Sequence, residues 1–575
     1  MPQTPQTPPG DGASLDEEET TGLLLALIRE ELGDESVTED DDFYAVGGDS
    51  LIAVRIVARA NEQGVGIRLL DLLMHPSAQE LAANVSELTA QESAGIAEPS
   101  PPAPPGPAEA GTPGPAEADG SATAPSGIVR RPASALQIGL VYQCEMSEDP
   151  SLYNDLIGVR VHGPFDEARF RTALTALLDR HPALRSSFDL AADPEPVQLV
   201  HPDLALPLEV EYAAGPHAGT GAEDAACAAA AEAWRARQLG TAFDWETPPL
   251  FRCHVAAAAA AAESFRLTVA MHHALMDGWS FATVVTDLLR LYDAAVTGTD
   301  PALPTPPPDA HELFVAAERD AVSSAEAARF WRQHAEGPQV LPDRARETPG
   351  DASARLSLPF DDALSAGLRS SAAQAATPLK SLLLAVHSWA LAHWSGHPDG
   401  MVTGVVLNGR PEQPGAELSV GLFLNTMPLR LPTAAGTWTE RARAARDAEI
   451  AATRYRHYPL ARIEEQTGRP PFDVAFNFTD FRVYRQLDGL GTLRVDEWYH
   501  ADKASHPVSL DYTLDFPGFG TGLLASYDQQ AVPEHRLREL VGLVEEGLRS
   551  AAAEPSGRPP APAATPAPAT ASSSR

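Results

Sequence analysis

Residues 269–280 read VAMHHALMDGWS. A strand-like apolar run ends in two adjacent histidines, His272 and His273, and a carboxylate, Asp277, follows four residues after the second, with Gly278 beside it. Neighbouring residues of a strand point to opposite faces, so the two rings do not readily converge on one metal ion, and only one of them faces a given cavity. A neutral imidazole in such a place accepts a proton or orients a nucleophile near neutral pH. Gly278 lets a substrate backbone come close, and Asp277 orders the loop or pairs with an arginine.

Working outward, strand-like runs alternate with helix-like ones. IGVRVHG, VQLVHP, LEVEYA, LFRCHVAA and SFRLTVAMHH read as strands. ARFRTALTALLDR, AAAAEAWRARQLG and SFATVVTDLLRLYDAAV carry helical periodicity. The alanine run 256–262 falls between two strands, at a hairpin tip or its edge. This pattern predicts a layered α/β or α+β fold for the segment from about 130 to 552.

Ahead of it, residues 17–92 are compact and acidic, with helical patterns in TGLLLALIREEL and SLIAVRIVARANEQ. Between them DDFYAVGGDSL places Gly47 and Gly48 at a tight turn, and Asp49 and Ser50 at a helix start where backbone N–H groups favour an anion. Residues 98–127 hold only proline, glycine, alanine and small polar or acidic residues, which predicts a semi-extended linker across 93–128. The first 16 residues and the last stretch, 553–575, are expected to be disordered.

Composition narrows the function. At 575 residues the chain is long enough for two or three packed units. A formal net charge of −37 repels phosphate backbones and anionic lipid, so neither nucleic acid nor membrane is an expected partner. Cys144, Cys227 and Cys253 lie far apart without a C-x-x-C, which argues against a disulfide scaffold or a structural zinc site and suits a reducing cytosol. The N-terminus lacks an export signal and no apolar run is long enough to span a bilayer, so a cytoplasmic protein is expected.

Two resemblances follow from these motifs. The 20–91 segment, with D-x-F ahead of G-G-D-S-L and GIRLLDLLMHPSAQELAANV after it, resembles the carrier domain of nonribosomal peptide synthetases. That likeness implies an all-α four-helix domain with 4′-phosphopantetheine attached to Ser50 by a separate phosphopantetheinyl transferase. The same letters occur in a serine esterase family, but the residues before the motif are acidic rather than a strand, and no D-x-x-H lies near the C-terminus.

MHHALMDGWS is an H-H-x-x-x-D-G motif and resembles that of nonribosomal peptide synthetase condensation domains. In family order, SALQIGL (Ser134, Gln137), RHPALRSSF (180–188, with Arg185) and VGLFLNTMPLRL (420–431, with Asn425) resemble supporting motifs. YRHYPL and PPFDVAFNFTDF are weaker likenesses. The resemblance implies a two-lobed α/β, chloramphenicol acetyltransferase-like fold, with an N-lobe over 129–305 and a C-lobe over 306–552.

It further implies that His273 faces the substrate tunnel while His272 and Asp277 support the site, with either Arg185 or Arg410 as the partner of Asp277. The implied reaction is amide formation: a thioester on the resident carrier is attacked by the amine of an acceptor carrier protein or a free amine. No adenylation domain is visible, so loading by such a domain or an upstream synthase acting in trans is expected. An ester-forming or epimerising relative and a catalytically silent docking module are the alternatives.

Overall fold

The computed structural model describes residues 16–93 except 45, 47 and 49, residues 127–341 except 148, 150, 193, 214–219, 260–261 and 339–340, and residues 353–560 except 398–400, 432–435, 481 and 502–505. The expected linker, apart from its two ends, residues 1–15 of the expected N-terminal tail and residues 561–575 lie outside the described residues, while Asp16, the last residue of that tail, caps the first helix. The chain divides into two compact units, residues 1–122 with 412–414, and residues 123–411 with 415–575.

The first unit is helical: α1 (Glu17–Leu32), α2 (Ser50–Glu62), α3 (Leu69–Met74) and α4 (Ala78–Ser93). Helix α1 starts where Asp16 and Glu19 form a reciprocal capping box, and it stops at Gly33, whose φ of 67° closes the C-terminus. Leu24, Leu27 and Ile28 of α1 meet Ile52, Ile56 and Val57 of α2 around Phe43, all buried. A β-carbon added to Gly48 would lie 2.4 Å from the Phe43 ring, so the second glycine of the G-G-D-S motif is required by close packing against the aromatic residue five positions earlier.

The second unit holds, in chain order, β1 (Val129–Pro132), α5 (Ala135–Met146), β2 (Asn154–His162), α6 (Glu167–Arg180), β3 (Ser186–Asp189), β4 (Val197–Val200), β5 (Leu208–Tyr212), α7 (Thr220–Gln238), β6 (Phe251–Ala257), β7 (Ser264–His272) and α8 (Gly278–Thr297). It continues with α9 (Ala310–Ser323), α10 (Ala325–Ala335), β8 (Ser353–Pro359), α11 (Asp362–Gln374), α12 (Leu379–Ser395), β9 (Val402–Asn408), β10 (Leu424–Arg430), α13 (Trp438–Thr453), α14 (Leu460–Thr467), β11 (Val474–Asp480), β12 (Arg494–Ala501), β13 (Val508–Phe516), β14 (Gly520–Asp528) and α15 (Glu534–Ala553).

Two larger sheets organise these elements. The first has the order β12-β2-β7-β6-β5 and the second β10-β9-β11-β13-β14-β8, while β1, β4 and β3 form a small third sheet. Helices α6 and α8 pack Phe170, Leu174, Leu177, Val284, Leu288 and Tyr292 onto the first sheet. The second sheet is covered by α12, whose Leu384, Val386 and Trp389 are buried, together with α13 and α15. Strand β7 is buried along nearly its whole length, alternating at its start and buried on both faces from Leu267, which explains the apolar run Val269–Met271 ahead of His272.

The structure departs from the expected lobe boundary and tail. Strand β12 comes from the second half of the chain yet pairs antiparallel with β2, Arg494 opposite His162, and completes the first sheet. Val483, Tyr484, Leu487 and Leu493 before it join that sheet's core. Pairing satisfies the backbone groups of the β2 edge, so the segment 482–501 belongs with the N-terminal half rather than with 306–552. The expected disordered tail likewise begins too early: the carbonyls of Pro555 and Gly557 accept from the backbone N–H groups of Thr439 and Trp438, both at 3.0 Å. The first turn of α13 has N–H groups without helical partners, and these two residues supply acceptors for them.

Candidate active site

Strand β7 ends at His272, opposite Asn154 of β2, and the chain then turns through residues 273–276 into α8. His272 is 1% exposed. Its Nδ1 accepts from the Ala274 backbone N–H at 3.0 Å, which leaves the proton on Nε2 to donate to the Leu152 carbonyl at 3.2 Å. Burial, reinforced by the neighbouring His273, pushes its pKa down to about 3, so the ring is neutral. The Cys144 Sγ lies 3.4 Å from Nε2, but burial pushes this thiol up to about 12. The two groups are therefore a neutral, internally bonded pair and not a thiolate–imidazolium nucleophile.

His273 differs in every respect. Its backbone N–H donates to the Tyr153 carbonyl at 2.9 Å, its Nδ1–H donates to the Met276 carbonyl at 2.8 Å, and its side chain is 33% exposed. With Nδ1 holding the proton, Nε2 is the acceptor nitrogen. Asp155 Oδ2 lies 3.8 Å from Nδ1. Tyr153 takes a φ of 65°, a left-handed conformation costing a non-glycine residue about 1–2 kcal/mol, at the point where its carbonyl holds the His273 backbone.

Asp277 is fully buried and caps α8, accepting from the Ser280 N–H at 2.8 Å. The same carboxylate accepts from Arg410 Nη2 at 2.9 Å and from the Phe423 N–H at 3.0 Å. Arg410, 1% exposed, also donates to Ser280 Oγ at 2.8 Å. Of the two arginines open at the sequence level, Arg410 is thus the partner of Asp277. Arg185 instead donates to the carbonyls of Leu178, at 2.8 Å, and His201, and so ties its own turn together. Gly278 opens α8 and is half-buried, but it is not among the residues lining the cavity beside His273.

That cavity has a volume of about 550 Å³ and is lined from both halves of the unit, by α5, Tyr153, Asp155 and His273 on one side and by β10, α14, β11 and β13 on the other. Its walls carry the carboxylates of Asp155, Glu464, Asp473, Asp511 and Asp528 and, among the described residues, no lysine or arginine. Burial holds Glu464 above the usual carboxylate range. Asn425 sits in this wall, its Nδ2 donating to the carbonyls of Tyr458 at 2.9 Å and Arg456 at 3.3 Å, while its buried Oδ1 has no hydrogen-bond partner. The VGLFLNT stretch therefore anchors the YRHYPL turn. A second cavity, about 570 Å³, reaches the same loop at Leu275 and is lined by Arg131, Arg180 and His181.

The remaining motifs hold the loop from behind. Gln137 of SALQIGL donates to the Ala274 carbonyl at 3.1 Å, and Ser134 caps α5. Arg180 and His181 of RHPALR both reach Asp287 on α8, at 2.9 and 3.0 Å. Sequence reasoning missed Asp155, Tyr153 and Ser280, because each acts through a contact made only after β2 or the 419–423 loop has packed against the histidine turn.

In the first unit Ser50 is the first residue of α2, and no acidic residue lies in that helix's first turn. Its side chain, with Gly47 and Asp49, lies outside the described residues. The donor set fits a phosphodiester: a serine at the start of a helix whose first turn holds no acidic residue, where the helix N-terminus favours an anion.

Comparison with known proteins agrees with this architecture. Residues 130–513 match the condensation domain family and residues 22–85 match the phosphopantetheine attachment site family. The chain is 33% identical over 559 residues to the AMB antimetabolite synthetase AmbE of Pseudomonas aeruginosa, covering 95% of this chain and 25% of that protein. It is 30% identical over 448 residues to the phosphinothricin tripeptide synthetase PhsC of Streptomyces viridochromogenes, covering 74% and 39%. It thus spans well under half the length of these relatives.

Among solved structures, the condensation domain of the Monacolin K polyketide synthase MokA is similar at a TM-score of 0.60 and 18% identity, covering 75% of this chain and 99% of that one. The X-domain from teicoplanin biosynthesis is similar at 0.59 and 20%, covering 74% and 96%. No helix among the described residues is long and apolar enough to cross a membrane. The chain belongs to the nonribosomal peptide synthetase condensation family, with a phosphopantetheine-bearing carrier domain ahead of a condensation domain.

Proposed function

We propose that this chain forms an amide by transferring an acyl or peptidyl group from phosphopantetheine on Ser50 to an amine held beside His273. The observation that carries the reading is the tautomer of His273: Nδ1–H is committed to the Met276 carbonyl, so Nε2 is free to accept from an amine in a cavity of about 550 Å³. Phosphopantetheine, when bound, supplies a thiol that carries the acyl group as a thioester. His273 orients the amine through one N–H and leaves its lone pair to attack, and positioning of this kind contributes more than proton transfer when both reactants are held.

The lining favours an amine over an alcohol. The lining is rich in carboxylates, with Asp155 beside His273, and suits a cationic ammonium better than an anionic acceptor. The unpartnered Asn425 Oδ1 is an acceptor for an amide or amine N–H entering from the same side. Two cavities meeting the loop at His273 and at Leu275 suit a reaction with two substrates. A phosphopantetheinyl transferase and further synthetase domains are the partners this chemistry requires, with loading from an adenylation domain or upstream synthase and an acceptor that is a carrier protein or a free amine.

The test is mass spectrometry on the full chain. Incubation with coenzyme A and a broad-specificity transferase is expected to add one phosphopantetheine mass, and Ser50→Ala to abolish the gain. The loaded protein, offered matched amines and alcohols, is expected to yield amides. Ester products, an epimerised donor without transfer, or no product from any acceptor would each refute the amide-forming reading.

A further inference from the structure

Away from the histidine turn, the edge of the first sheet carries a cluster that the condensation chemistry does not use. Strand β5 pairs in parallel with β6 in a register that puts Glu209 opposite His254, and Glu211 lies two residues on, on the same face. The ligand atoms of these three side chains lie within 4.8 Å of one another. His254 is fully buried, its ring stacked on the Trp234 indole at 5.2 Å and 11°, and among the described residues neither ring nitrogen makes a hydrogen bond. A buried imidazole with both nitrogens unsatisfied is costly, and such a group calls for a partner.

We propose that Glu209, Glu211 and His254 form a binding site for one divalent transition-metal ion of the zinc class. One imidazole and two carboxylates are a nitrogen–oxygen donor set suited to that class. The spacing fits. Ligands about 2.0–2.2 Å from a tetrahedral ion are roughly 3.4 Å apart, and His254 Nε2 is 3.5 Å from Glu211 Oε2, too long for a good hydrogen bond but close to a tetrahedral edge.

Glu209 must move by about an ångström to join them, which its exposure permits: its side chain is 55% accessible, and that of Glu211 is 44%. Trp234 Nε1 donates to Glu209 Oε2 at 2.9 Å and orients the carboxylate as an outer-shell donor, leaving Oε1 for the ion. Arg237, 3.4 Å from that Oε1, is a neighbouring cation that the ion displaces, and it is itself 53% exposed. With three protein ligands the fourth position falls to water on the open side of β5. None of the three residues lines the cavity beside His273, so the site is separate from the condensation chemistry.

The experiment is a zinc titration of the full chain, stripped with chelator and dialysed, read by calorimetry and by the melting temperature, with cobalt(II) absorbance as the test of tetrahedral geometry. The expected result is one equivalent bound per chain with a raised melting temperature. In Glu211→Gln the affinity is expected to fall by more than about tenfold and the zinc-dependent melting shift to vanish, while the metal-free melting temperature stays at the wild-type value. Because a substitution of buried His254 risks misfolding, the solvent-facing pair Glu209→Gln and Glu211→Gln decides the question. No binding in the wild type, or the same stoichiometry and affinity in the Glu209→Gln/Glu211→Gln double variant, overturns the proposal and leaves the cluster a buried histidine beside two exposed carboxylates.

Discussion

The sharpest consequence of the site's geometry concerns the buried pair Asp277–Arg410. Arg410→Met keeps the volume and removes the charge, leaving a fully buried carboxylate that retains the N–H groups of Ser280 and Phe423 but has lost its guanidinium. Breaking one side of a buried pair costs about 3–5 kcal/mol, because the surviving charge is uncompensated. Spread over the unfolding entropy of a unit of some four hundred residues, that is a fall of about 4–6 °C in melting temperature. Asp277→Asn costs a similar amount, about 3–5 kcal/mol: its carbonyl still caps α8, but the buried Arg410 guanidinium loses its counter-charge and the new amide meets the Phe423 N–H donor to donor.

The double variant, Asp277→Asn with Arg410→Met, removes both charges and is expected to recover about 2 kcal/mol of the summed loss. Tryptophan fluorescence during urea unfolding reads this cleanly, since all eight tryptophans lie at or beyond position 234 and the first unit has none. Losses that simply add, within about 0.5 kcal/mol, refute the claim that the pair is a coupled, buried unit.

Three further outcomes are expected. His273→Ala lowers amide formation by about 10²–10⁴-fold with little change in melting temperature, whereas His272→Ala loses about 1–3 kcal/mol through its buried hydrogen bonds; single-turnover assays and urea curves on both variants separate the two, and the opposite pattern reverses the assignment. Glu318 of α9, 5% exposed and bonded to the N–H groups of Ala135 and Leu136 at 2.8 and 3.4 Å, is pushed up by burial to about 7. A raised carboxyl contributes stability that is complete below pH 4.5 and lost as the pH rises through about 7, so stability relative to Glu318→Gln should fall over that window by up to about 3 kcal/mol. His272 has the opposite sign: its depressed pKa contributes stability present above pH 6.5 and lost as the pH falls toward 3, and acid unfolding of His272→Gln should begin at lower pH than in the wild type.

Much of this was legible because local rules and tertiary needs coincide. The run ending at His272 reads as a strand since it is buried on both faces, and SFATVVTDLLRLYDAAV reads as a helix because its apolar face packs on the first sheet; that Asp277 caps this helix is not read from the sequence. Contacts made across long sequence distances were not legible. The choice of Arg410 over Arg185 depends on β9 and α8 meeting, and no pattern in RHPALR reveals that its last arginine is used on the carbonyls of Leu178 and His201. Strand β12 has an ordinary strand pattern, but nothing local says that it crosses to the first sheet. The cluster of Glu209, Glu211 and His254 spans more than forty residues and shows no metal-site spacing, because a parallel register assembles it.

The spacing of H-H-x-x-x-D-G now has a physical reading that needs no reference to other sequences. His272 must end the strand, because its Nε2 proton is used on the Leu152 carbonyl of the turn entering β2. Asp277 must begin the helix, because its carboxylate holds Ser280, Phe423 and Arg410 together. Between them the chain has room for one tight turn, closed by His273 Nδ1–H to the carbonyl of Met276 three residues on. That closing bond fixes the tautomer that leaves Nε2 available. Two of the motif's three polar residues are therefore consumed in pinning the ends of a loop. The third is constrained by that loop's length, and an inserted residue would break the Nδ1 bond before it disturbed either anchor.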